Sequence, residues 1–266
     1  MATAVMAYGE HRYPAAYTLR IVATLFVVGV LGAMWTISSD DPTAFSPSTL
    51  KWVSLVLLAA LAAVWIAAGK SVLVVSDAGV RRESVLGHQE MAWGQITETR
   101  YRVIPINLYV HFGLIGALIA MASKSAKSGS AQLTLQLISA DGKKLKVTSN
   151  YRHADEAIGL ILQRILPPKV QSVKARLQRG ETVKFGGLGL SATEVIWKNN
   201  AIPVSQITKA ELAGSNLQIK RQGKWISAVS VRSDKVPDVL VFLEVLESLA
   251  PQVKASGVDP MARVRM

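Results

Sequence analysis

The chain has no cysteine, which excludes a disulfide framework and any thiolate-ligated metal site. Its four histidines, His11, His88, His111 and His153, are scattered, without the helical spacing a ligand pair needs. Acidic side chains are scarce, 18 against 30 Lys and Arg in 266 residues, for a formal net charge of +12. Such an excess favours polyanions. Aromatic residues make up only 6% and form no stripe with the basic ones, so no nucleic-acid partner is expected. No Gly-x-Ser-x-Gly elbow and no Walker lysine loop occurs. Glu10, Asp155-Glu156 and Glu244/Glu247 read as solvated faces or helix-end charges, not as an acid/base pair. No enzyme and no cofactor are expected.

Half of the residues are hydrophobic, and position separates them from the charge. Residues 1–69 carry three basic and three acidic side chains; residues 70–266 carry 27 and 15, the whole of the excess. Ile21–Ser39 and Trp52–Gly69 are free of charge. At 1.5 Å per residue each approaches the roughly 30 Å of a hydrocarbon core, and neither carries a polar stripe. Trp35 and Trp52 flank the short acidic connector Ser38–Leu50, and Tyr17 and Trp65 approach the other interface. These segments predict a two-helix transmembrane hairpin over 17–70. Ala59, Ala63 and Ala67 could meet Gly29 and Ala33 on a small-residue face, or merely reflect how common alanine is in such helices. No small-x-small cleavage site precedes Asp40, so an anchor is expected and not a cleaved signal. The connector carries Asp40 and Asp41, whereas Arg12, Arg20, Lys70, Arg81 and Arg82 lie on the other side. Both termini are therefore expected in the cytoplasm, with the protein multi-pass in the inner (plasma) membrane.

Beyond Lys70 the sequence resembles itself. Ser76-Asp77-Ala78-Gly79-Val80 matches Ser191-Ala192-Thr193-Glu194-Val195, and Trp93-Gly94-Gln95-Ile96-Thr97 matches Val204-Ser205-Gln206-Ile207-Thr208. Each copy then reaches a hairpin. One has Leu133, Leu135 and Leu137 turning at Asp141-Gly142 to Leu145 and Val147; the other has Leu217–Lys220 turning at Gln222-Gly223 to Trp225–Val229. Each copy ends in an amphipathic helix. Ala154, Ile158, Ile161 and Ile165 form the first stripe, closed by Pro167-Pro168. Val236, Leu240, Leu243 and Leu246 form the second.

The runs Val183–Ser191, Ile202–Ile207 and Val236–Val239 resemble an uncharacterised bacterial membrane-protein family built on pleckstrin-homology-like (PH-like) modules. The resemblance covers roughly 71–250. It implies a bent β-barrel plugged by a C-terminal helix, twice over, and supplies no catalytic residue. Trp93 keeps a tryptophan favoured there, Val204 departs from it, and Asp238 stands where Asn is often found. The expected fold is thus a membrane α+β chain: a cytoplasmic N-terminal tail (1–16), the helical hairpin (17–70), a first module (71–168), a second (169–252) and a flexible tail (253–266).

Gly187-x-Gly189-x-x-Ala192 matches a dinucleotide fingerprint in form, but a strand and not a helix is expected next, so the glycines are read as a barrel bend. The first module carries an apolar insertion, Val103–Ser123, between basic flanks Arg100, Arg102, Lys124 and Lys127. It could dip into the inner leaflet, pack on the hairpin, or cover the modules or another copy. Arg20, Lys70, Arg100, Arg102, Lys124 and Lys127 are the expected membrane-interface residues, facing anionic lipids. The expected function is a non-enzymatic, membrane-anchored scaffold binding a protein partner, as a subunit or assembly factor of a membrane complex. The alternative is lipid-headgroup binding or membrane-surface sensing.

Overall fold

The computed structural model describes residues 9–15, 18–40, 46–69, 71–85, 87–105, 131–149, 151–198, 200–224 and 226–256. The fold is mixed α+β. Among the described residues it has four helices and four sheets, antiparallel except where β15 lies parallel to β12. Two compact units divide the chain: Met1–Glu90 with Asn150–His153, and Met91–Ser149 with Ala154–Met266.

In the first unit, β1 (His11–Pro14), β2 (Val72–Val75), β3 (Gly79–Ser84) and β4 (Gly87–Ala92) form one sheet in that order. The residues expected as a free tail therefore contain a strand. β1 pairs with β2 from His11↔Val75 to Pro14↔Val72, and Tyr13 is buried. A four-residue strand ending in proline has no sequence signal of its own; only its partner, far along the chain, makes it one. The first sheet begins at His11, not at residue 71.

Helices α1 (Thr18–Asp40) and α2 (Pro47–Gly69) lie in the connection of this β1–β2 hairpin and pack on each other. Thr24, Val27, Leu31, Met34 and Ser38 are buried or half-buried at three- and four-residue spacing, as are Leu50, Ser54, Leu57, Leu61 and Val64. That spacing is a heptad-like seam. Gly29, Ala33, Ala59 and Ala63 are exposed, which overturns the small-residue face as the contact between the two helices. Larger side chains on the seam remove more surface, and the alanines face outward.

In the second unit, β5 (Ile96–Pro105), β6 (Ala131–Ser139) and β7 (Lys144–Thr148) form a three-stranded meander. Leu133, Leu135, Leu137, Leu145 and Val147 fill its inner face, as alternation requires. Gly142 takes the positive φ, +78°, of the β6–β7 turn. The Ser139 hydroxyl and Lys143 hold the Asp141 carboxyl down at about 2, so it stays ionised and keeps the turn's hydrogen bonds far below neutral pH.

The helix α3 (Ala154–Gln178) corrects a second expectation, since it runs straight through Pro167-Pro168. Both prolines are exposed, so water can satisfy the carbonyls that lose their partners. The buried stripe continues past them at Val170 and Leu177, and packing outweighs the local penalty.

Two further sheets follow. β8 (Val183–Phe185), β9 (Leu188–Leu190), β10 (Glu194–Trp197) and β11 (Asn200–Pro203) form one. β12 (Ile207–Ala213), β13 (Asn216–Arg221) and β14 (Val229–Arg232) form the other, with β15 (Lys254–Ser256) added inside the segment expected as a tail. β14 starts at Val229, later than expected. The Ser227 hydroxyl turns to Gln218 while Ile226, 84% exposed, finds no facing strand. No helix follows Gly187-x-Gly189: β9 leads through a tight turn to β10.

Helix α4 (Val239–Leu249) closes the β8–β11 sheet, with Phe242 edge-on to Phe185 at 5.4 Å between ring centres. Gly186, at φ +65°, turns β8 into β9 beneath the segment entering α4. A Cβ there would lie 2.9 Å from the Lys235 carbonyl oxygen and 2.9 Å from Pro237 Cδ. Gly186→Ala is expected to cost about 2 kcal/mol, from the left-handed backbone and the forced shift together. Thermal unfolding in mild detergent measures it, and a variant as stable as the parent would refute the close approach.

A polar knot lies in the same unit. Asp238 Oδ1 accepts from the Lys169 ammonium (2.7 Å), the Thr99 hydroxyl (2.7 Å) and the Thr99 amide (3.0 Å). Lys169 also donates to the Thr97 carbonyl at 2.8 Å, and the Asp238 amide donates to the Thr99 carbonyl at 2.7 Å. One carboxylate thus ties β5, α3 and the entry to α4.

Candidate membrane interface

The apolar helices carry no charge between Arg20 and Asp40, or between Lys51 and Lys70. Ser48–Ile66 is long and apolar enough to cross a membrane, and none of its residues is buried; Ala23–Ser39 is a shorter apolar stretch. Leu25, Phe26, Val28, Leu55, Val56 and Leu58 all stand more than half exposed. That much contiguous apolar surface is foreign to water. Tryptophan marks both ends. Trp35 and Trp52 are exposed near the connector. At the other end Trp65 donates to the Thr24 hydroxyl at 3.1 Å, and the Arg20 guanidinium lies 5.3 Å from its ring centre. That contact holds the cation at the helix end.

At the base of the helices the sheet is laced shut. The Ala15 amide donates to the Ser71 carbonyl (2.9 Å), and the Arg152 amide donates to the Pro14 carbonyl (2.8 Å). Tyr151 bridges to Ala15, with its hydroxyl 3.4 Å from that of Ser71. The helices thus leave and re-enter one end of one sheet.

Of the six expected interface residues, Arg20 stands here, at the start of α1. Lys70, Lys124 and Lys127 lie outside the described residues. Arg100 and Arg102 lie on β5 in the other unit and meet carboxylates of the chain itself. Arg100 pairs with Glu98, and Arg102 lies 4.0 Å from Asp234, whose carboxyl is held below the usual range chiefly by Arg232. Arg81, of the Arg81-Arg82 pair, is likewise taken up by Glu10 (3.2 Å) and Glu83 (2.9 Å). Lys143 pairs with Asp141 at 2.9 Å. These bases therefore meet carboxylates of the chain itself, although such pairing leaves the net charge of +12 unchanged. No signal in the sequence joined Glu10 to Arg81, 71 residues apart. Among the described residues no three His, Asp or Glu side chains gather as a metal site.

The apolar insertion begins where β5 and β6 are still paired, from Val103↔Leu133 to Pro105↔Ala131. Residues 106–130, and with them most of the expected 103–123 segment, lie outside the described residues.

A chain of mixed α+β sheets with a long apolar helix set into its first β-hairpin defines the class. This chain belongs to the Family of unknown function (DUF6585), whose model matches residues 9–255. The match extends beyond the 71–250 of the resemblance to take in β1 and both helices. No curated protein matches the chain.

Proposed function

We propose that this protein is a non-enzymatic membrane-anchored scaffold. In this reading α1 and α2 cross the inner membrane as a hairpin and hold two PH-like modules at its cytoplasmic face, where they engage a protein partner in a membrane complex. The exposed apolar surface of Ser48–Ile66 carries the anchoring. Strand pairing supports a hairpin over a single span: β1 and β2 share one sheet, so a chain that crosses in α2 must cross back in α1.

Local geometry supports reading the two halves as copies. Ser76 donates to the Gly79 carbonyl from its amide (3.0 Å) and hydroxyl (3.3 Å); Ser191 makes the same pair of bonds to Glu194 (2.9 and 3.3 Å). Trp93–Gln95 and Val204–Gln206 each form a short 3-10 turn entering the next sheet. In chain order, four strands, three strands and a helix occur twice, as a PH-like module requires. Aligned this way, β1 corresponds to β8, and α1–α2 take the place of the Gly186-Gly187 turn. With Arg81, Arg100 and Arg102 already paired to carboxylates, a protein partner is favoured over headgroup recognition by these bases.

Mild-detergent purification followed by mass spectrometry tests the scaffold. A stoichiometric membrane-protein partner is the expected result. Recovery of the chain alone, under conditions that preserve other membrane complexes, would sink the reading.

A further inference from the structure

Resting on the anchoring proposed above, we infer that the β3–β4 hairpin tip, at Val85, is a second membrane contact that seats the first sheet end-on in the lipid headgroup layer. The reach of the chain between helix and sheet sets the level of the tip. β2 starts at Val72, three residues after α2 ends at Gly69, and β1 ends at Pro14, four before α1 begins at Thr18. There is no room for a linker. From Ile66, the end of the apolar span, to Val72 the chain covers at most about 15 Å: three helical rises and three extended residues.

β3 runs back toward the helices alongside β2. Glu83 lies opposite Val72, so Ser84 and Val85 extend past that level by about 7 Å. Val85 therefore comes within roughly 8 Å of the hydrocarbon, which is the depth of the headgroup layer. It is 48% exposed at the tip of a turn closed by the Ser84 hydroxyl on the Gly87 carbonyl (3.0 Å), with Gly87 at φ +121°. An apolar side chain presented at that level meets the headgroup–acyl boundary and not bulk water. The opposite end of the sheet, the β2–β3 turn, presents Asp77 and Ala78, with Asp77 a charge unsuited to that boundary.

The absence of native cysteine makes the test clean. Val85→Cys, Ala78→Cys and Val56→Cys, each in the full chain, are labelled with an environment-sensitive fluorophore. They are reconstituted in vesicles of phosphatidylcholine and phosphatidylglycerol containing nitroxide lipids. At position 85 the expected result is blue-shifted emission, quenched by a nitroxide near the headgroup. Position 78 should emit as in water, and position 56 should be quenched by a nitroxide deep in the acyl chains. If 56 is quenched but 85 emits like 78, the tip contact is wrong and the anchoring stands. If 56 is not quenched by any lipid nitroxide, the anchoring fails and the tip contact falls with it.

Discussion

Leu58→Arg is expected to abolish the crossing of α2. Leu58 lies near the middle of Ser48–Ile66, more than half exposed and off the seam with α1. Moving from leucine to arginine at the centre of a span costs roughly 3–4 kcal/mol on insertion scales, enough to reverse a marginal equilibrium. At an exposed position of a helix in water the same change would be nearly neutral, or improve solubility. The two readings thus differ in sign as well as in size. The connector between the helices reports the outcome. A cysteine placed at Ser46, exposed just before α2, should react with an impermeant maleimide only from the side opposite the termini. That labelling should be lost in the Leu58→Arg chain. Undiminished labelling, with the protein still extracted only by detergent, would show that α2 does not lie across the bilayer at Leu58.

The second large effect is expected at Asp238. Its carboxylate is the common acceptor for Lys169 and for two donors of Thr99; the Lys169 and Asp238 side chains are only 18% and 20% exposed. Removing one partner of such a pair strands the other, which is where the cost lies. The residue also sits at φ +50°, ψ +38°, a left-handed conformation that Asp and Asn tolerate better than alanine. Asp238→Ala should therefore lose about 3 kcal/mol, allowing for the residual solvent at the pair. Asp238→Asn, which keeps an acceptor and suits the backbone, should lose about 1 kcal/mol. Thermal unfolding in detergent, with Lys169→Met completing a double-mutant cycle, separates the two contributions. A cycle with no coupling would mean that the ion pair adds nothing beyond the Thr99 bonds.

Several features were legible because they are local. Uncharged runs mark α1 and α2 by composition. The β6–β7 hairpin follows from the alternation of Leu133, Leu135 and Leu137 before Asp141-Gly142. The paired motifs at Ser76 and Ser191 form turns with the same hydrogen bonds because a serine there closes the same local ring. Two local rules failed where packing was stronger. Pro167-Pro168 should have ended a helix, but the apolar stripe extends to Leu177 and carries α3 through them. Alanines that could have packed closely face outward instead, because a seam of larger side chains was available.

The candidate interface depended on distance along the chain. By itself the sequence determined that an uncharged, apolar pair of segments precedes a basic, strand-rich remainder, since hydropathy and charge are properties of single residues. Only the tertiary structure decided that His11–Pro14 is a strand and that both helices spring from one β-hairpin. It also decided that Arg81, Arg100 and Arg102 face carboxylates of their own chain. Pairing between β1 and β2 joins residues some sixty positions apart, and no local propensity records such a bond. It exists because closing the chain back on itself satisfies two strand edges and buries Tyr13 and Leu73 together.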